Sequence, residues 1–588
     1  MKLSDYVINC IKEEGVSHVF EFIGGAIVHL LDSISYRDDI ECISVRHEQA
    51  GAFAAEAYAR MNGKLGVAMA TSGPGALNLV TGIGSCYFDS VPCLFITGQV
   101  NTYEYKFDRP IRQIGFQETD IISVAKSLTK YAELVTDPTK IRYHLEKAIY
   151  LAQTGRPGPV LLDIPMNIQR ADIDVDNLES YFDSSEYLDS VNSYSIEEEK
   201  YDNIIHLLEK AERPLVLAGG GIRVGNAVEE LNGFLNKTGV PIVSSLMGLD
   251  VISHHNPQYC GLIGSYGNRY SNMTLANCDL LIILGSRLDS RQTGTRPDTF
   301  ARAAKKIHVD IDALELNSKV QADILIQSDL KGFLTEMNTR LENYVRTDIT
   351  EWFGTISNLR EKYPTYSFTP INKEIEPNRF IQLLSSKSEQ IGTICLDVGQ
   401  HQMWASQSFQ LSENQRLLNS GGMGAMGFAL PAAIGAALAS DKDVLVIAGD
   451  GGIQLNIQEL DTITRFNLPI KIVILNNSSL GMVRQFQDLY MDGRQQSTVN
   501  KNPSFINIFN AYEIPSFQMG SMDDADQLDE FLNTSGPAFL EVKLEKNTEV
   551  HPKLVVNRPI EDMFPFLERD ELKKDMLIDL VEEMEIPK

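Results

Sequence analysis

The 588-residue chain has no apolar run that reaches the ~18 residues of a membrane-spanning helix. Its first residues, MKLSDYVINCIKEEGV, mix apolar and charged side chains as an amphipathic helix does, and they contain no signal-peptide core. Basic residues are the minority, with 52 Lys and Arg against 79 Asp and Glu and a net charge of −27. Because nucleic acids and anionic membranes attract clustered Lys and Arg, we expect neither as a partner and predict a cytoplasmic protein.

Cysteine is also scarce: the chain has seven, an odd number, without a CxxC pair or a His/Cys spacing typical of zinc sites. This pattern argues against a disulfide framework, so we expect reduced and mostly buried thiols. Short-period repeats are missing, which excludes a solenoid. The seven positions are Cys10, Cys42, Cys86, Cys93, Cys260, Cys278 and Cys395.

What the chain does contain is strand-helix alternation over a length too great for a single core. Two polar connectors, near 172–202 and 338–377, separate blocks at 1–175, 190–340 and 365–550. A tail at 551–588 follows, and we expect its acidic end, RDELKKDMLIDLVEEMEIPK, to form a helix. The sequence therefore predicts an α/β protein with three doubly wound parallel-sheet domains. The first and third blocks both place an apolar strand before a glycine turn and a helix, so we expect them to have related folds.

One polar pair can be placed from spacing alone. Residues 444–448 read as a buried strand that stops at Gly449-Asp450-Gly451, residues 454–466 have helical spacing, and 470–475 read as a second buried strand before Asn477. This is the length of one βαβ unit, so Asp450 and Asn477 should emerge together at the carboxyl edge of a sheet. A carboxylate and an amide oxygen are ligands that Mg²⁺ accepts, and the glycines let phosphates approach the backbone.

A second acidic residue, Glu48, follows a predicted strand at 40–45 and precedes an alanine-rich helix at 50–61. Two explanations stand side by side: a carboxylate stabilised by the helix dipole, or a functional carboxylate. A third feature is PLVLAGGGIRVG, a strand followed by Gly219, Gly220 and Gly221, which alone is a weak dinucleotide signature.

Taken in order, these segments resemble the thiamine-diphosphate-dependent enzymes, and within them the acetolactate synthase group. The resemblance rests on GDGGIQLNIQELDTITRFNLPIKIVILNN, the family's metal motif, and on RHEQAGAFAAEAYAR, ATSGPGALNLVTGI, SGGMGAMGFALPAAIGAAL and LGMVRQFQD. It implies pyrimidine-binding, central and diphosphate-binding domains, with thiamine diphosphate and Mg²⁺ as cofactors. It also implies a homodimer or homotetramer in which each cofactor lies between the first domain of one subunit and the third of another.

The resemblance gives individual residues roles. Glu48 would hydrogen-bond the ring nitrogen of the cofactor's aminopyrimidine, and Phe116 and Gln117 would line the donor pocket. Gly424 would accept the exocyclic amine, and Met426 would hold the cofactor in a bent shape. Asp450, Asn477 and the carbonyl of Ser479 would ligate the metal. The remaining expected cofactor contacts are Gln400, His401, Gly449, Gly451, Gly452, Gly481 and Met482.

The resemblance also implies a second cofactor in the central block. Flavin-binding members of the group contact FAD, mostly as a structural cofactor, at positions that correspond here to Gly219, Gly220, Gly221, Arg156, Arg287, Asp289, Asp310 and Asp329.

The substrate end departs from the synthase pattern. Phe486 replaces a tryptophan, Met166 replaces a lysine, and the segment 101–115 is longer and adds Lys106, Arg109 and Arg112. Arg291 matches a substrate-channel arginine.

We therefore expect decarboxylation of pyruvate, or a close 2-oxo acid, and transfer of the two-carbon unit to an acceptor carbonyl. Two acceptors stay open: a second pyruvate or 2-oxobutyrate, or a larger compound such as a nucleotide-linked keto sugar. A non-enzymatic regulatory paralogue would have lost Glu48, Asp450 or Asn477, and all three are present. A nicotinamide dehydrogenase would need a dinucleotide fingerprint in its first βαβ unit, which the chain does not have.

Overall fold

The computed structural model describes residues 1–190, 194–366 and 374–581. These residues form three six-stranded parallel sheets with helices on both faces, which confirms the predicted fold class. Parallel strands with both faces covered are apolar along their length, and this is the pattern that the sequence shows. The domain boundaries predicted above stay a prediction.

The first sheet has the strand order β2-β1-β3-β4-β6-β5. Its strands are β1 (His18–Phe22), β2 (Glu41–Ser44), β3 (Gly66–Ala70), β4 (Cys93–Gln99), β5 (Tyr131–Leu134) and β6 (Val160–Pro165). Its helices are α1 (Leu3–Glu13), α2 (Val28–Ser35), α3 (Glu48–Asn62), α4 (Pro74–Asn78), α5 (Val80–Asp89), α6 (Ile121–Ala125), α7 (Ile141–Gln153) and α8 (Met166–Gln169).

The central sheet has the order β12-β11-β10-β7-β8-β9. When the six strands are renumbered 1 to 6 along the chain and the sheet is read from β9, the order is 3-2-1-4-5-6, that of the doubly wound dinucleotide-binding fold. Before it lie α9 (Ser185–Ser190) and α10 (Glu198–Lys210). Its elements are β7 (Pro214–Ala218), α11 (Gly221–Val224), α12 (Val228–Thr238), β8 (Ile242–Ser244), β9 (Tyr259–Leu262), α13 (Arg269–Asn277), β10 (Leu280–Leu284), α14 (Ser290–Thr293), β11 (Lys305–Asp310), β12 (Ile324–Gln327), α15 (Leu330–Arg340) and α16 (Thr350–Lys362).

The third sheet has the order β14-β13-β15-β16-β18-β17, which repeats the order of the first sheet strand for strand. Its elements are α17 (Pro377–Lys387), β13 (Thr393–Leu396), α18 (Gln400–Ser408), β14 (Arg416–Asn419), α19 (Ala429–Leu438), β15 (Val444–Gly449), α20 (Leu460–Arg465), β16 (Ile470–Asn476), α21 (Gly481–Tyr490), α22 (Phe505–Ala511), β17 (Ser516–Met519), α23 (Ala525–Asn533) and β18 (Ala538–Lys543). The first and third sheets therefore share one topology, as expected from their similar sequence pattern.

Two alanine-rich helices, α3 and α19, join the first and third sheets. A Cβ at Gly435 would overlap the carbonyl oxygen of Ala54, so the two backbones are in direct contact. Small residues permit this approach, and the helices share one buried core with both sheets. The start of α3, where Glu48 lies, is thereby fixed against the third sheet of the same chain.

The carboxyl-terminal part packs on the central sheet. It contains a small antiparallel pair, β19 (Lys553–Leu554) and β20 (Met563–Phe564), and α24 (Arg569–Asp575). Leu572 and Met576 share a core with Trp352, so this part is anchored to the protein. The predicted helix thus covers seven residues, and positions 582–588 lie outside the described residues.

All seven cysteines are free, and five of them are buried, as predicted. Among the described residues, no helix has the length and apolar character needed to cross a membrane.

Candidate active site

The predicted βαβ unit is present. β15 and β16 are parallel neighbours with Val444 opposite Ile470 and Gly449 opposite Leu475, so Asp450 and Asn477 follow adjacent strands at the carboxyl edge of the third sheet. Both residues are buried, with 1% and 5% of their surface exposed. The spacing argument therefore placed this pair correctly.

The connection between these strands differs from the prediction. In place of a continuous helix at 454–466, the chain forms two short 3₁₀ turns and then α20, which begins at Leu460. Asn456 interrupts the helix because its side-chain amide donates to the carbonyl of Gly427 at 2.8 Å and to Gln49 Oε1 at 3.2 Å. Leu455, an apolar residue of this segment, is consequently 52% exposed.

Asp450 is held by residues that the sequence reading missed. Asn502 Nδ2 donates to Asp450 Oδ2 at 2.7 Å, and Asn500 Nδ2 donates to the same oxygen at 3.3 Å. The other oxygen, Oδ1, has no side-chain donor among the described residues and is available to a metal. Burial raises the pKa of the Asp450 carboxyl above its usual value, and the two asparagines oppose that shift.

Asn477 and Ser479 are oriented by their hydrogen bonds. Asn477 Nδ2 donates to Gln400 Oε1 at 2.8 Å, so its amide oxygen remains available to a metal. The hydroxyl of Ser479 donates to the carbonyl of Thr498 at 2.9 Å. With its hydroxyl engaged, Ser479 would offer a metal its backbone carbonyl, and this metal role stays a prediction.

Two glycines allow Gln400 and His401 to lie close to the carboxyl edge of the third sheet. A Cβ at Gly481 would overlap Gln400 Oε1, and a Cβ at Gly449 would lie 2.7 Å from His401 Nδ1. Burial lowers the pKa of His401 to about 3, which makes the imidazole neutral. Its Nε2 is buried without a hydrogen-bond partner among the described residues. A buried polar atom without a partner is costly, so it indicates a ligand position.

The remaining predicted cofactor contacts surround this edge. Gly452 lies against Asp397, Gly424 has a positive φ of 65°, and the Cε of Met426 is 3.7 Å from where a Cβ at Gly451 would lie. Met482 follows Gly481 in the first turn of α21 and is half-buried against the sheet core. These residues approach the turn after β15 from several loops.

A second group of predicted residues meets at the Thr71–Gly75 turn of the first sheet. Glu48 is the first residue of α3, accepts a 2.9 Å hydrogen bond from Asn78 Nδ2, and has Oε1 3.1 Å from where a Cβ at Gly75 would lie. Gln117 has a positive φ of 64° and contacts Gly73. Its neighbour Phe116 is 86% exposed, so this half of the site has an open apolar side.

The substrate residues lie in three places. Met166 begins α8 at the carboxyl end of β6, and Arg291 belongs to α14 of the central sheet. Phe486 is 52% exposed on α21, where its ring packs against that of Tyr490 in a tilted arrangement at a centroid distance of 4.6 Å. These three residues belong to elements of three different sheets.

The cation-bearing segment 101–115 is an ordered loop. The buried carboxylate of Glu118 accepts backbone bonds from Lys106 at 2.8 Å and from Ile114 at 2.6 Å. Within the part of the chain that the structure describes, the side chains of Lys106, Arg109 and Arg112 form no ion pair. The loop therefore holds these cations at the surface.

A cavity of about 660 Å³ lies at the carboxyl edge of the central sheet, against the first and third sheets. Among the proposed FAD residues, Gly219 is not part of the wall and instead packs on Gly285. Asp310 ends β11, and burial raises its pKa to about 6. The wall includes Gly220, Gly221, Arg156, Arg287, Asp289, Asp310, Asp329 and also Arg291.

Sequence models of three domains match the chain in order: the thiamine pyrophosphate enzyme N-terminal TPP binding domain at 1–124, the central domain at 201–337 and the C-terminal TPP binding domain at 397–542. The acetolactate synthase large subunit of Lactococcus lactis is 38% identical over 94% of this chain and 94% of its own length. The chain belongs to the thiamine pyrophosphate enzyme family. Two further relatives are 37% identical over 94% of this chain: the acetolactate synthase isozyme 2 large subunit of Escherichia coli, over 97% of its length, and the chloroplastic acetolactate synthase 2 of Nicotiana tabacum, over 83%.

The residues at the third sheet fit the family's cofactor. Among the residues that the structure describes, His401 Nε2 has no partner and Asp450 Oδ1 has no side-chain donor. Close-packed glycines leave the backbone accessible to phosphate oxygens. Hard oxygen ligands around one carboxylate suit Mg²⁺, which completes its shell with phosphate and water.

Proposed function

We propose that this protein is a thiamine-diphosphate- and Mg²⁺-dependent enzyme that decarboxylates pyruvate, or a close 2-oxo acid, and joins the two-carbon unit to an acceptor carbonyl. The observation that carries this proposal is the placement of Asp450 and Asn477 at one sheet edge beside the unpartnered His401 Nε2. The names of the relatives support the acetolactate synthase type of reaction.

The residues of the third domain hold the diphosphate end. Asp450 Oδ1, the amide oxygen of Asn477 and the carbonyl of Ser479 would hold Mg²⁺. His401 would present Nε2 to this end of the cofactor, and Gln400 orients Asn477. Gly449, Gly451, Gly452, Gly481 and Met482 would shape the cradle. Gly424 would accept the exocyclic amine of the aminopyrimidine, and Met426 would hold the cofactor in its bent shape.

Glu48 performs the proton chemistry. Its carboxylate would hydrogen-bond the ring nitrogen of the aminopyrimidine and hold a proton there, and Asn78 donates to its other oxygen and fixes its orientation. When bound, thiamine diphosphate supplies a carbon nucleophile and an electron sink. Phe116 and Gln117 enclose the 2-oxo acid and exclude water. In Glu48→Gln, turnover of pyruvate should fall by about two orders of magnitude or more with the cofactor still bound; unchanged turnover would contradict the assignment.

The relatives favour pyruvate or 2-oxobutyrate as the acceptor. A larger carbonyl compound such as a nucleotide-linked keto sugar is the second candidate, and one observation favours it: the three surface cations of the loop 101–115 are without ion pairs among the described residues. Phe486, Met166 and Arg291 are the proposed acceptor-side residues. Competition between 2-oxobutyrate and a keto-sugar nucleotide for the two-carbon unit, followed by mass spectrometry, distinguishes the candidates.

We infer that FAD occupies the central cavity as a structural cofactor. The 3-2-1-4-5-6 strand order and the cavity at its carboxyl edge support this assignment. Purified protein should then show flavin absorbance near the visible bands of free FAD, and its melting temperature should fall when the flavin is removed. A colourless protein that FAD does not stabilise would contradict the inference.

We propose a homodimer or homotetramer in which each active site combines Glu48 of one chain with Asp450 of another. Exposed apolar residues around both half-sites, Phe116 and Phe486 among them, support a subunit contact there. Dissociating and reassociating a mixture of Glu48→Gln and Asp450→Ala chains should restore about a quarter of the wild-type activity, because half the dimers carry one intact site. Sites within single chains would give no recovery.

The location proposed for this protein is the cytoplasm. The plant relatives are named as chloroplastic, so the family alone does not decide the compartment.

A further inference from the structure

One buried carboxylate of the third domain reaches the loop that carries Glu48. Glu459 ends the second 3₁₀ turn between β15 and α20 and has no solvent exposure. The backbone N–H of Arg46 donates to Glu459 Oε1 at 2.9 Å and to Oε2 at 3.1 Å, across 413 residues of sequence. The backbone N–H of His47 also donates to this carboxylate.

These two bonds fix the first turn of α3. β2 ends at Ser44 and α3 begins at Glu48, so Arg46 and His47 are two of the three residues of the turn between them. The carbonyl of His47 accepts the first bonds of α3, from Ala50 at 3.0 Å and Gly51 at 3.2 Å. The backbone of His47 thus donates to Glu459 through its N–H and accepts the first bonds of the helix through its carbonyl. The position of Glu459 therefore sets the position of Glu48.

The carboxylate itself is tightly oriented. Thr462 Oγ1 donates to Glu459 Oε2 at 2.7 Å, which leaves both oxygens directed at the turn. Burial raises the pKa of Glu459 to about 7, and the bonds from Thr462, Arg46 and His47 oppose that rise. A buried carboxylate that meets no cation within 4 Å among the described residues is costly to maintain as structure alone, and this points to a role that depends on its geometry.

We propose that Glu459 is a positioning residue for the proton chemistry of Glu48, acting through the backbone of Arg46 and His47. The inference rests on the proposed function of Glu48. It links the βαβ unit that holds the metal end of one cofactor to the turn that presents the catalytic carboxylate.

The test compares Glu459→Gln with Asp461→Asn. Glutamine keeps the volume of the side chain but puts an N–H group against the N–H groups of the turn. Asp461 pairs with the side chain of the same residue, Arg46, at 2.6 Å, yet both partners are about one-third or more exposed, so its loss should have little effect. Amide hydrogen exchange of the peptide spanning 45–50, measured without cofactor, should become at least about tenfold faster in Glu459→Gln and stay within about twofold in Asp461→Asn.

Kinetic measurements distinguish positioning of Glu48 by Glu459 from stabilisation of the fold alone. With thiamine diphosphate, Mg²⁺ and pyruvate, we expect kcat of Glu459→Gln to fall at least about tenfold while KM for the cofactor stays within about threefold. If Glu459→Gln does not fold, Thr462→Val removes the donor that orients the carboxylate and should shift both readouts in the same direction by a smaller factor.

Three results are decisive. Unchanged exchange at 45–50 overturns the inference. A lower melting temperature with unchanged kcat also overturns it, since Glu459 would then only support the fold. Normal turnover in Glu48→Gln would instead refute the proposed function, whatever Glu459→Gln does, so the two failures are distinguishable.

Discussion

Replacing Gly481 by alanine should weaken cofactor binding through Gln400. The new methyl group would overlap Gln400 Oε1 at the first residue of α21. Because Oε1 is the end of a flexible side chain, Gln400 can swing away and the fold survives. The move breaks three bonds: one from Asn477 at 2.8 Å, one to the Thr548 carbonyl at 3.0 Å and one to Gln485 Oε1 at 3.3 Å.

At about 1 kcal/mol for each net hydrogen bond, the third domain should lose about 3 kcal/mol of stability. The bond that orients Asn477, about 1 kcal/mol of that loss, should raise the Kd for the cofactor about fivefold, which calorimetric titration with thiamine diphosphate and Mg²⁺ measures. Gly354→Ala is the control: this exposed glycine lies within α16 with no atom within 4 Å of the new Cβ, so it should stabilise by up to ~1 kcal/mol without changing Kd.

A double-mutant cycle tests the reasoning further. If the methyl group acts by displacing Gln400, then Gly481→Ala should add little to the loss already caused by Gln400→Ala. Wild-type Kd in Gly481→Ala, or fully additive losses in the double variant, would refute the account of this contact.

Two other predictions concern charge. Asp450→Asn removes the only carboxylate of the proposed metal site, so the Mg²⁺ concentration needed to retain thiamine diphosphate through gel filtration should rise about 100-fold. The control Asp492→Asn changes an exposed ion pair with Arg494 and should leave that concentration unchanged. Equal retention of the cofactor in both variants would contradict the metal assignment. Burial raises the pKa of Asp163 to about 7, against an ordinary value of 3.8, although Gln99 and Thr97 donate to it. A carboxyl with a raised folded-state pKa binds more protons when folded, so its contribution to stability is present below pH 3.8 and is lost as pH rises to about 7. From pH 4 to 8 the wild type should therefore lose about 4 kcal/mol relative to Asp163→Asn, and parallel unfolding curves across that range would contradict the prediction.

The pattern of apolar residues and glycines along the chain correctly predicted strands, strand ends and neighbouring parallel strands. The apolar run at 444–448 and the glycine turn after it gave the strand and its end, and the spacing to Asn477 gave the parallel neighbour. The same reasoning missed the break at Asn456, because its hydrogen bonds join it to residues distant in sequence, Gly427 of the same domain and Gln49 of the first domain.

The contacts around the candidate site were harder to predict because they join distant segments. Asn500 and Asn502 bond a carboxylate some 50 positions earlier, and their only sequence signal is a polar loop, TVNKN. Glu459 lies in a segment that reads as an ordinary amphipathic helix, where a glutamate is expected at the surface. Only the packing of α3 on α19 brings it to Arg46.

The strand order of the central sheet was also beyond the sequence. Gly219, Gly220 and Gly221 suggested a dinucleotide turn, but such a motif is common by chance. The order 3-2-1-4-5-6 supplies the structural context that this motif requires, although Gly219 serves close backbone packing and is not in the cavity wall.

The most direct test of the proposed activity is product analysis. Purified protein with Mg²⁺, thiamine diphosphate and labelled pyruvate should release CO₂ and form acetolactate, identified by mass, and Glu48→Gln should suppress both. Transfer of the label to a keto-sugar nucleotide in preference to pyruvate would keep the carboligase and change its acceptor. No CO₂ release from pyruvate or any close 2-oxo acid, with the cofactor bound, would contradict the proposal.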